Sequence, residues 1–143
     1  MAYLEVRLVD TESVDDVGGF DNRAAGVRVF ECSLLVENVV EAILGDDVIL
    51  SNFTANTALP GSGSMNAHCD QSTVMPEPWL ETWAMNAIWC LHDTDEENGA
   101  TRFLPGSHEF TSFADVPDDP KVGMQPFSAS AGSVILMHGR LWH

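Results

Sequence analysis

Apolar positions between Cys32 and Gly45 follow the period of a helix. In "CSLLVENVVEAILG" they recur every three to four residues, with Ser33 as a suitable N-cap and Gly45 as the C-terminal stop. The face predicted to be buried consists of Leu35, Val39, Ala42 and Ile43. The pattern predicts one amphipathic helix.

Short apolar and β-branched runs, separated by turn-like segments, dominate the rest of the chain. The runs are "DVILSNFTA", "LETWAMNAIWCLHD", "TRFLPGS", "MQPFSAS" and "GSVILMH", and Pro, Gly, Asp and Asn are concentrated between them. A further short strand is predicted from Tyr3 to Val9. One helix followed by several strands predicts a mostly β domain with helical cover, such as a sandwich or a jelly roll.

The strand predicted from Thr82 to Leu91 has two different faces, because side chains alternate along a strand. One face is large and apolar and suits packing under the helix: Trp83, Met85, Ala87, Trp89 and Leu91. The other face is small and partly polar: Thr82, Ala84, Asn86, Ile88 and Cys90. This second face is either the wall of a cavity or a tightly packed interior with one hydrogen-bonded Asn.

Length and cysteine content fit a single domain, residues 1–143, in a reducing compartment. A chain of 143 residues matches the usual domain size of about 100 to 150 residues. The cysteines Cys32, Cys69 and Cys90 have no C-x-x-C spacing, which favours free thiols over a disulfide framework. The first residues lack the features of a signal peptide, and no apolar run approaches the roughly 18 residues of a membrane span. We therefore expect a cytoplasmic location.

The chain is strongly acidic, with 22 Asp and Glu residues against 6 Lys and Arg and a formal net charge of −16. Binding to nucleic acids or anionic membranes requires Lys and Arg, so neither is an expected partner. The acidic residues lie mostly in loop-like segments rather than at the spacing of metal ligands. We interpret most of them as solvated surface.

The segment "NAHCDQS" places His68 and Asp70 two positions apart. In an extended chain these side chains share a face, so an imidazole nitrogen and a carboxylate oxygen can converge on one point. With one distant histidine they would form a 2-His-1-carboxylate triad, which leaves positions open for non-haem Fe(II) chemistry. Taken alone, the H-x-D spacing is common in surface and structural pairs. Gln71 points to the opposite side, where it can support a neighbouring strand.

Spacing does not choose the third ligand among the four remaining histidines, His92, His108, His138 and His143. His92 adjoins the "DTDEENG" turn, and His108 follows a Pro-Gly turn, where histidines often have structural roles. His138 and His143 flank the Gly-Arg-Leu-Trp turn after the last predicted strand. A distal ligand on a facing strand would lie at this place.

Other enzyme classes lack their motifs here. The sequence has no G-x-S-x-G turn, no G-x-x-x-x-G-K-[ST] loop, no H-E-x-x-H motif and no cysteine pair for structural zinc. A Cys69 nucleophile with His68 as its base is disfavoured, because adjacent residues of an extended segment point to opposite faces.

Three longer motifs occur in a fixed order: "PGSGSMNAHCDQ", "MNAIWCLHDTDEENGATRFLPGSH" and "GSVILMHGRLWH". In order and spacing they resemble the core of the phytanoyl-CoA dioxygenase family of Fe(II)- and 2-oxoglutarate-dependent oxygenases. The resemblance covers residues 30–143. It implies a double-stranded β-helix, a jelly roll of cupin type, with at least one flanking helix and incomplete at its C-terminus.

Carried over by position, the resemblance implies that His68, Asp70 and His143 hold Fe(II) and that His138 is a structural residue at a strand end. It implies 2-oxoglutarate as cosubstrate, O2 as oxidant and hydroxylation of a small organic molecule as the reaction. Asp70 favours hydroxylation over halogenation, because related halogenases have a small residue in place of this carboxylate. The expected partner is therefore a small-molecule substrate, and the oligomeric state is left open.

Asn86 and Thr82, on the small face of their strand, are the candidates for contacts to the cosubstrate. Family members continue past the distal histidine to an arginine that binds the far carboxylate of 2-oxoglutarate, as an Arg fork suits. This sequence ends at His143. In the family an Asp often follows the glycine that corresponds to Gly132, and this chain has Ser133 there. We therefore expect a truncated domain that is inactive by itself and poorly soluble because of open sheet edges. The alternative function is a non-catalytic metal- or ligand-binding jelly-roll domain.

Overall fold

The computed structural model describes residues 2–10 and 34–143, which form more strands than helices. The strands are β1 (Ala2–Asp10), β2 (Val48–Thr57), β3 (Ala84–Cys90), β4 (Arg102–Phe103), β5 (Gln125–Pro126) and β6 (Val134–His138). The helices are α1 (Leu34–Leu44) and α2 (Asp70–Val74), with short 3-10 helices at Ser107–Glu109 and Phe113–Asp115. Each predicted run overlaps one of these strands, so the β-rich prediction with a flanking helix is confirmed.

Four strands form the main sheet, in the order β2-β1-β3-β6. β1 runs parallel to both of its neighbours, whereas β3 and β6 are antiparallel and pair Asn86 with Met137. β4 and β5 form a separate two-stranded sheet. Because β3 lies between β1 and β6, both of its edges are hydrogen-bonded, and six of its seven side chains are buried.

Helix α1 packs on one face of the main sheet. Its buried Val36 and Val40 form a core with Met85 and Ala87 of β3, and Trp89 joins them from the same strand face. This arrangement confirms that the large apolar face of β3 lies under the helix. The small face of β3 lies on the opposite side of the sheet from α1.

The buried face of α1 differs from the prediction. Val36 and Val40 are 5% and 3% exposed, whereas Leu35 is 74% and Ile43 is 44% exposed. The helix has two adjoining apolar stripes. The stripe that packs against β3 contains Val36 and Val40, which are four residues apart and therefore lie on the same face of the helix.

Gly45 ends α1 as predicted. It has a φ of 89°, and its N–H donates to the carbonyl of Glu41 at 2.9 Å. A positive φ of this kind costs little for glycine and suits a helix C-terminus. The predicted N-cap, Ser33, lies outside the described residues.

A second core lies beyond the small face of β3 and consists of Cys69, Trp79 and Trp142. Cys69 and Cys90 are both buried free thiols, in agreement with the prediction for these two. Burial raises the pKa of the Cys69 thiol and of the Cys90 thiol, so both are protonated packing residues at neutral pH. Cys32 lies outside the described residues.

Among the strands of the described residues, β2 lies at an edge of the main sheet, and it exposes apolar side chains. Ile49 and Leu50 are 43% and 44% exposed. An exposed apolar edge favours association between molecules, and the low solubility expected from the sequence stays a prediction. Within residues 2–10 and 34–143, no helix has both the length and the apolar character needed to cross a bilayer.

Candidate metal centre

His68 and Asp70 stand at the junction between an extended segment and α2. Cys69 between them is extended, with φ −121° and ψ 141°, and Asp70 is the first residue of α2. The extended residue turns both flanking side chains to one side, as the H-x-D spacing predicts. The segment does not continue as a strand, because the helix begins at once at Asp70.

Backbone hydrogen bonds bring His143 to this junction from the far end of the described chain. The N–H of His68 donates to the carbonyl of His143 at 3.0 Å, and the N–H of His143 donates to the carbonyl of His68 at 2.9 Å. His68 and His143 are thereby paired like two opposite residues of an antiparallel ladder. The position of His143 is therefore fixed by main-chain atoms.

His68, Asp70 and His143 form one cluster whose potential ligand atoms all lie within 4.8 Å of one another. Asp70 Oδ1 is 3.5 Å from His68 Nε2 and 3.8 Å from His143 Nε2. The side chains of His143 and Asp70 are 4% and 10% exposed, and that of His68 is 26% exposed. The cluster is thus buried on the side of His143 and accessible on the side of His68.

The second ring nitrogen of each histidine has a backbone partner. His68 Nδ1 lies 2.9 Å from the carbonyl oxygen of Asn66, and His143 Nδ1 lies 3.0 Å from that of Leu141. A carbonyl oxygen accepts but cannot donate, so each Nδ1 carries a proton, and in the neutral ring each Nε2 then has its lone pair directed at the cluster. Such an outer hydrogen bond is the usual arrangement of a metal-binding histidine.

This donor set can hold a metal ion. Two imidazole nitrogens and one carboxylate oxygen suit first-row transition metals, and a facial arrangement with open positions is typical of non-haem Fe(II) sites. The single negative charge of Asp70 would offset part of the charge of a divalent cation. Among the described residues, these are the ones that form a group of this kind.

Asn86 and Thr82 both lie next to this region but have different partners. The amide Nδ2 of Asn86 donates to Oδ2 of Asp70, and Asn86 is 1% exposed. Thr82 Oγ1 lies 2.9 Å from Nε2 of His138. The small face of β3 therefore adjoins the cluster, and the predicted cosubstrate contacts of both residues stay predictions.

His138 lies outside the cluster and has a structural set of contacts. Its Nδ1 accepts the N–H of Arg140 at 3.1 Å, so its proton lies on Nε2, which donates to Thr82. Burial, with the nearby charges of Arg140 and His108, lowers the pKa of His138 to about 4. The ring is therefore neutral at neutral pH. His92 and His108 also lie outside the cluster.

Gln71 supports the strand beside the cluster, as the sequence predicts. Its Nε2 donates to the carbonyl of Glu81 at 2.7 Å, and its Oε1 accepts the N–H of Trp83 at 3.0 Å. Its own N–H donates to the carbonyl of Gly139 at 2.9 Å. These bonds tie the start of α2 to the backbone that leads into β3 and to the turn that follows β6.

Two residues that support the cluster were not singled out from the sequence. Ser107 Oγ accepts the N–H of Trp142 at 2.9 Å, and Gly139 packs so closely that an added Cβ would lie 2.5 Å from the Cβ of Ala84. Ser107 stands in the "PGSH" segment and Gly139 directly follows His138. The sequence signal for each residue is its position beside a turn. That signal does not identify the contact partners, which are distant in the sequence.

The comparison with protein families decides the relationship of the chain. The phytanoyl-CoA dioxygenase family model matches residues 9–143. The chain belongs to the phytanoyl-CoA dioxygenase family. The match includes His68, Asp70 and His143 and begins earlier than the stretch 30–143 that carries the resemblance in the sequence.

Curated relatives of this family member are fungal dioxygenases. Dioxygenase af480 of Aspergillus fumigatus is 49% identical over 106 residues, which is 74% of this chain and 34% of that protein. Multifunctional dioxygenase ausE of Penicillium brasilianum is 33% identical over 96 residues, 59% of this chain and 31% of that protein. Dioxygenase cdmA of Talaromyces verruculosus is 30% identical over 88 residues, 59% of this chain and 29% of that protein. The chain spans about a third of the length of these relatives, and no solved structure matches it.

Proposed function

We propose that the protein is a non-haem Fe(II)- and 2-oxoglutarate-dependent dioxygenase that hydroxylates a small organic substrate. The observation that carries the proposal is the convergence of His68, Asp70 and His143, with both histidine Nε2 atoms within 3.8 Å of Asp70 Oδ1. Membership in the phytanoyl-CoA dioxygenase family and the dioxygenase names of the relatives support the same chemistry.

Each cluster residue has a separate task in this proposal. As neutral rings, His68 and His143 would offer Nε2 lone pairs to the metal, because their Nδ1 protons are held by the carbonyls of Asn66 and Leu141. Asp70 offers a carboxylate oxygen and the one negative charge of the set. Bound Fe(II), with 2-oxoglutarate and O2, would supply the oxygen chemistry that no side chain can perform. A carboxylate in this place favours hydroxylation over halogenation.

The surroundings of the cluster exclude water from one side. Cys69, Trp79 and Trp142 form an apolar core next to the ligand residues, and the side chain of His143 is 4% exposed. The more exposed ring of His68 marks the open side. We propose that the substrate approaches from this side, since the core blocks the other.

Asn86 and Thr82 are the proposed polar contacts for the cosubstrate. The amide of Asn86 has a second N–H beside the one donated to Asp70, and the hydroxyl of Thr82 keeps its proton while it accepts from His138. Both groups can therefore donate to a carboxylate. Each lies at or next to the strand face that adjoins the cluster.

The fold proposed for the protein is a jelly roll of cupin type. Jelly rolls are built from antiparallel strands. The antiparallel pair of β3 and β6 fits this arrangement and includes Asn86, which contacts Asp70, whereas the parallel pairing of β1 with β2 and β3 departs from it. The partner proposed is a small molecule rather than a nucleic acid or a membrane, because the net charge is −16. The proposed location is the cytoplasm.

The test uses the full-length protein and consists of anaerobic titration with Fe(II) followed by 2-oxoglutarate, monitored by visible absorption, and then exposure to O2 with measurement of succinate. The proposal predicts a charge-transfer band that needs both additions and Fe(II)-dependent formation of succinate. Asp70→Ala should abolish both, and Asp118→Asn, which removes a charge at an exposed position, should change neither. Metal binding without succinate would favour the non-catalytic binding domain, and no metal binding would refute both the dioxygenase and the metal-binding form of that alternative.

A further inference from the structure

Asp70 has two carboxylate oxygens with different surroundings. Oδ1 faces the histidines, at 3.5 Å from His68 Nε2 and 3.8 Å from His143 Nε2. Oδ2 accepts a hydrogen bond from the amide Nδ2 of Asn86. The carboxylate is therefore oriented from one side by an amide and presents its other oxygen to the two ring nitrogens.

Asn86 is well placed to hold this orientation. It lies in the middle of β3, which pairs with β1 on one side and β6 on the other, and it is 1% exposed. A side chain on a central strand has little freedom to move, so its amide is a fixed point for the carboxylate. Asp70, in contrast, starts a helix of five residues and depends on outside contacts for its rotamer.

We propose that Asn86 is a positioning residue that makes Asp70 a one-oxygen ligand of the metal. This inference rests on the proposed function, since it concerns the same site. While Oδ2 is engaged by Asn86, the protein offers three ligand atoms: Oδ1 and the two Nε2 atoms. Without Asn86 the carboxylate can rotate, and Oδ2 can also turn toward the cluster and take a position needed for cosubstrate or oxygen.

The test compares Co(II) binding to the wild type with binding to Asn86→Leu, whose side chain has nearly the same shape and no donor. We expect the affinity for Co(II) to fall by about ten- to a hundredfold, the usual effect of losing an outer partner of a ligand. We also expect the ligand-field absorption of bound Co(II) to change, because the carboxylate can then bind through both oxygens. Asn86→Ala replaces this variant if leucine prevents folding.

Thr94→Val is the matched control. Thr94 is buried, its hydroxyl donates to the carbonyl of Phe127 at 3.0 Å, and it does not belong to the cluster of ligand residues. This variant also loses a buried hydrogen bond, so thermal unfolding should show a comparable loss of stability, while Co(II) affinity and spectrum should match the wild type.

The outcomes separate this inference from the proposed function. If the wild type binds Co(II) and Asn86→Leu binds it with the same affinity and spectrum, Asn86 is structural only and the inference is wrong. If the wild type itself binds no Co(II), the proposed function fails, and the inference fails with it.

Discussion

His68 and His143 exchange two backbone hydrogen bonds, the N–H of each donating to the carbonyl of the other at 3.0 and 2.9 Å. The ring centroids are 4.5 Å apart. The distance between the two rings is thus set mainly by the pairing of main-chain atoms. Residues that hold the main chain of either segment should consequently affect metal binding without touching the metal.

Ser107 gives the first prediction of this kind. Its Oγ accepts the N–H of Trp142, the residue before His143, and donates to the carbonyl of Leu104 at 2.7 Å. Ser107→Ala should lower the free energy of unfolding by about 1 to 3 kcal/mol, because it leaves a buried N–H without an acceptor. It should also weaken Co(II) binding, measured by titration.

The control for Ser107 is Ser128→Ala, which changes the same residue type at an exposed position and should alter neither quantity. If Ser107→Ala unfolds in chemical denaturant like the wild type, the hydrogen bond to Trp142 has no part in fixing His143.

Gly139 gives the second prediction. A Cβ at this position would lie 2.5 Å from the Cβ of Ala84 and 2.6 Å from its carbonyl oxygen, while the N–H of Gly139 donates to that same carbonyl. Gly139→Ala must push β3 and the turn after β6 apart. Overpacking of this kind costs about 1 to 3 kcal/mol or more, which denaturant unfolding would detect. The control is Ser130→Ala, at an exposed position, whose free energy of unfolding should stay within about 0.5 kcal/mol of the wild-type value. If Gly139→Ala also stayed within this range, the close approach to Ala84 would be absent.

His138 gives a prediction about pH. Its pKa in the folded protein is lowered from 6.5 to about 4 by burial and by the charges of Arg140 and His108. Between these two values the unfolded chain takes up a proton at His138 and the folded chain does not. The contribution of His138 to stability is therefore complete above pH 6.5 and is lost as the pH falls toward 4.

Two measurements check the behaviour of His138. An NMR titration of its ring in the folded protein should show the lowered pKa, and the same ring in urea should titrate near 6.5. In addition, the stability of His138→Gln relative to the wild type should improve as the pH falls through this window. A folded-state midpoint at or above the ordinary value would contradict the buried, neutral ring.

The local features of the chain could be predicted from the sequence because they depend on neighbouring residues. The H-x-D spacing required an extended Cys69 to bring His68 and Asp70 together, and this residue is extended. The alternation along β3 separated the face under α1 from the face that includes Asn86. In the same way, Gly45 marked the end of α1 because its positive φ is a local property.

The long-range features could not be predicted by spacing. Four histidines qualified as a third ligand, and the backbone pairing that selects His143 leaves no mark in the sequence. The buried stripe of α1 depended on Met85 and Ala87, which lie on a distant strand. Likewise, the parallel pairing of β1 with both β2 and β3 has no local signal.

The central claim is that His68, Asp70 and His143 bind one divalent metal ion, and anaerobic Co(II) titration followed by visible absorption tests it most directly. The account predicts saturable ligand-field absorption in the wild type and a loss of affinity of more than about a hundredfold in each of His68→Ala, Asp70→Ala and His143→Ala. His108→Ala, which removes an exposed histidine outside the cluster, should bind like the wild type. Absence of the absorption in the wild type, or equal binding by the ligand variants and His108→Ala, would contradict the account.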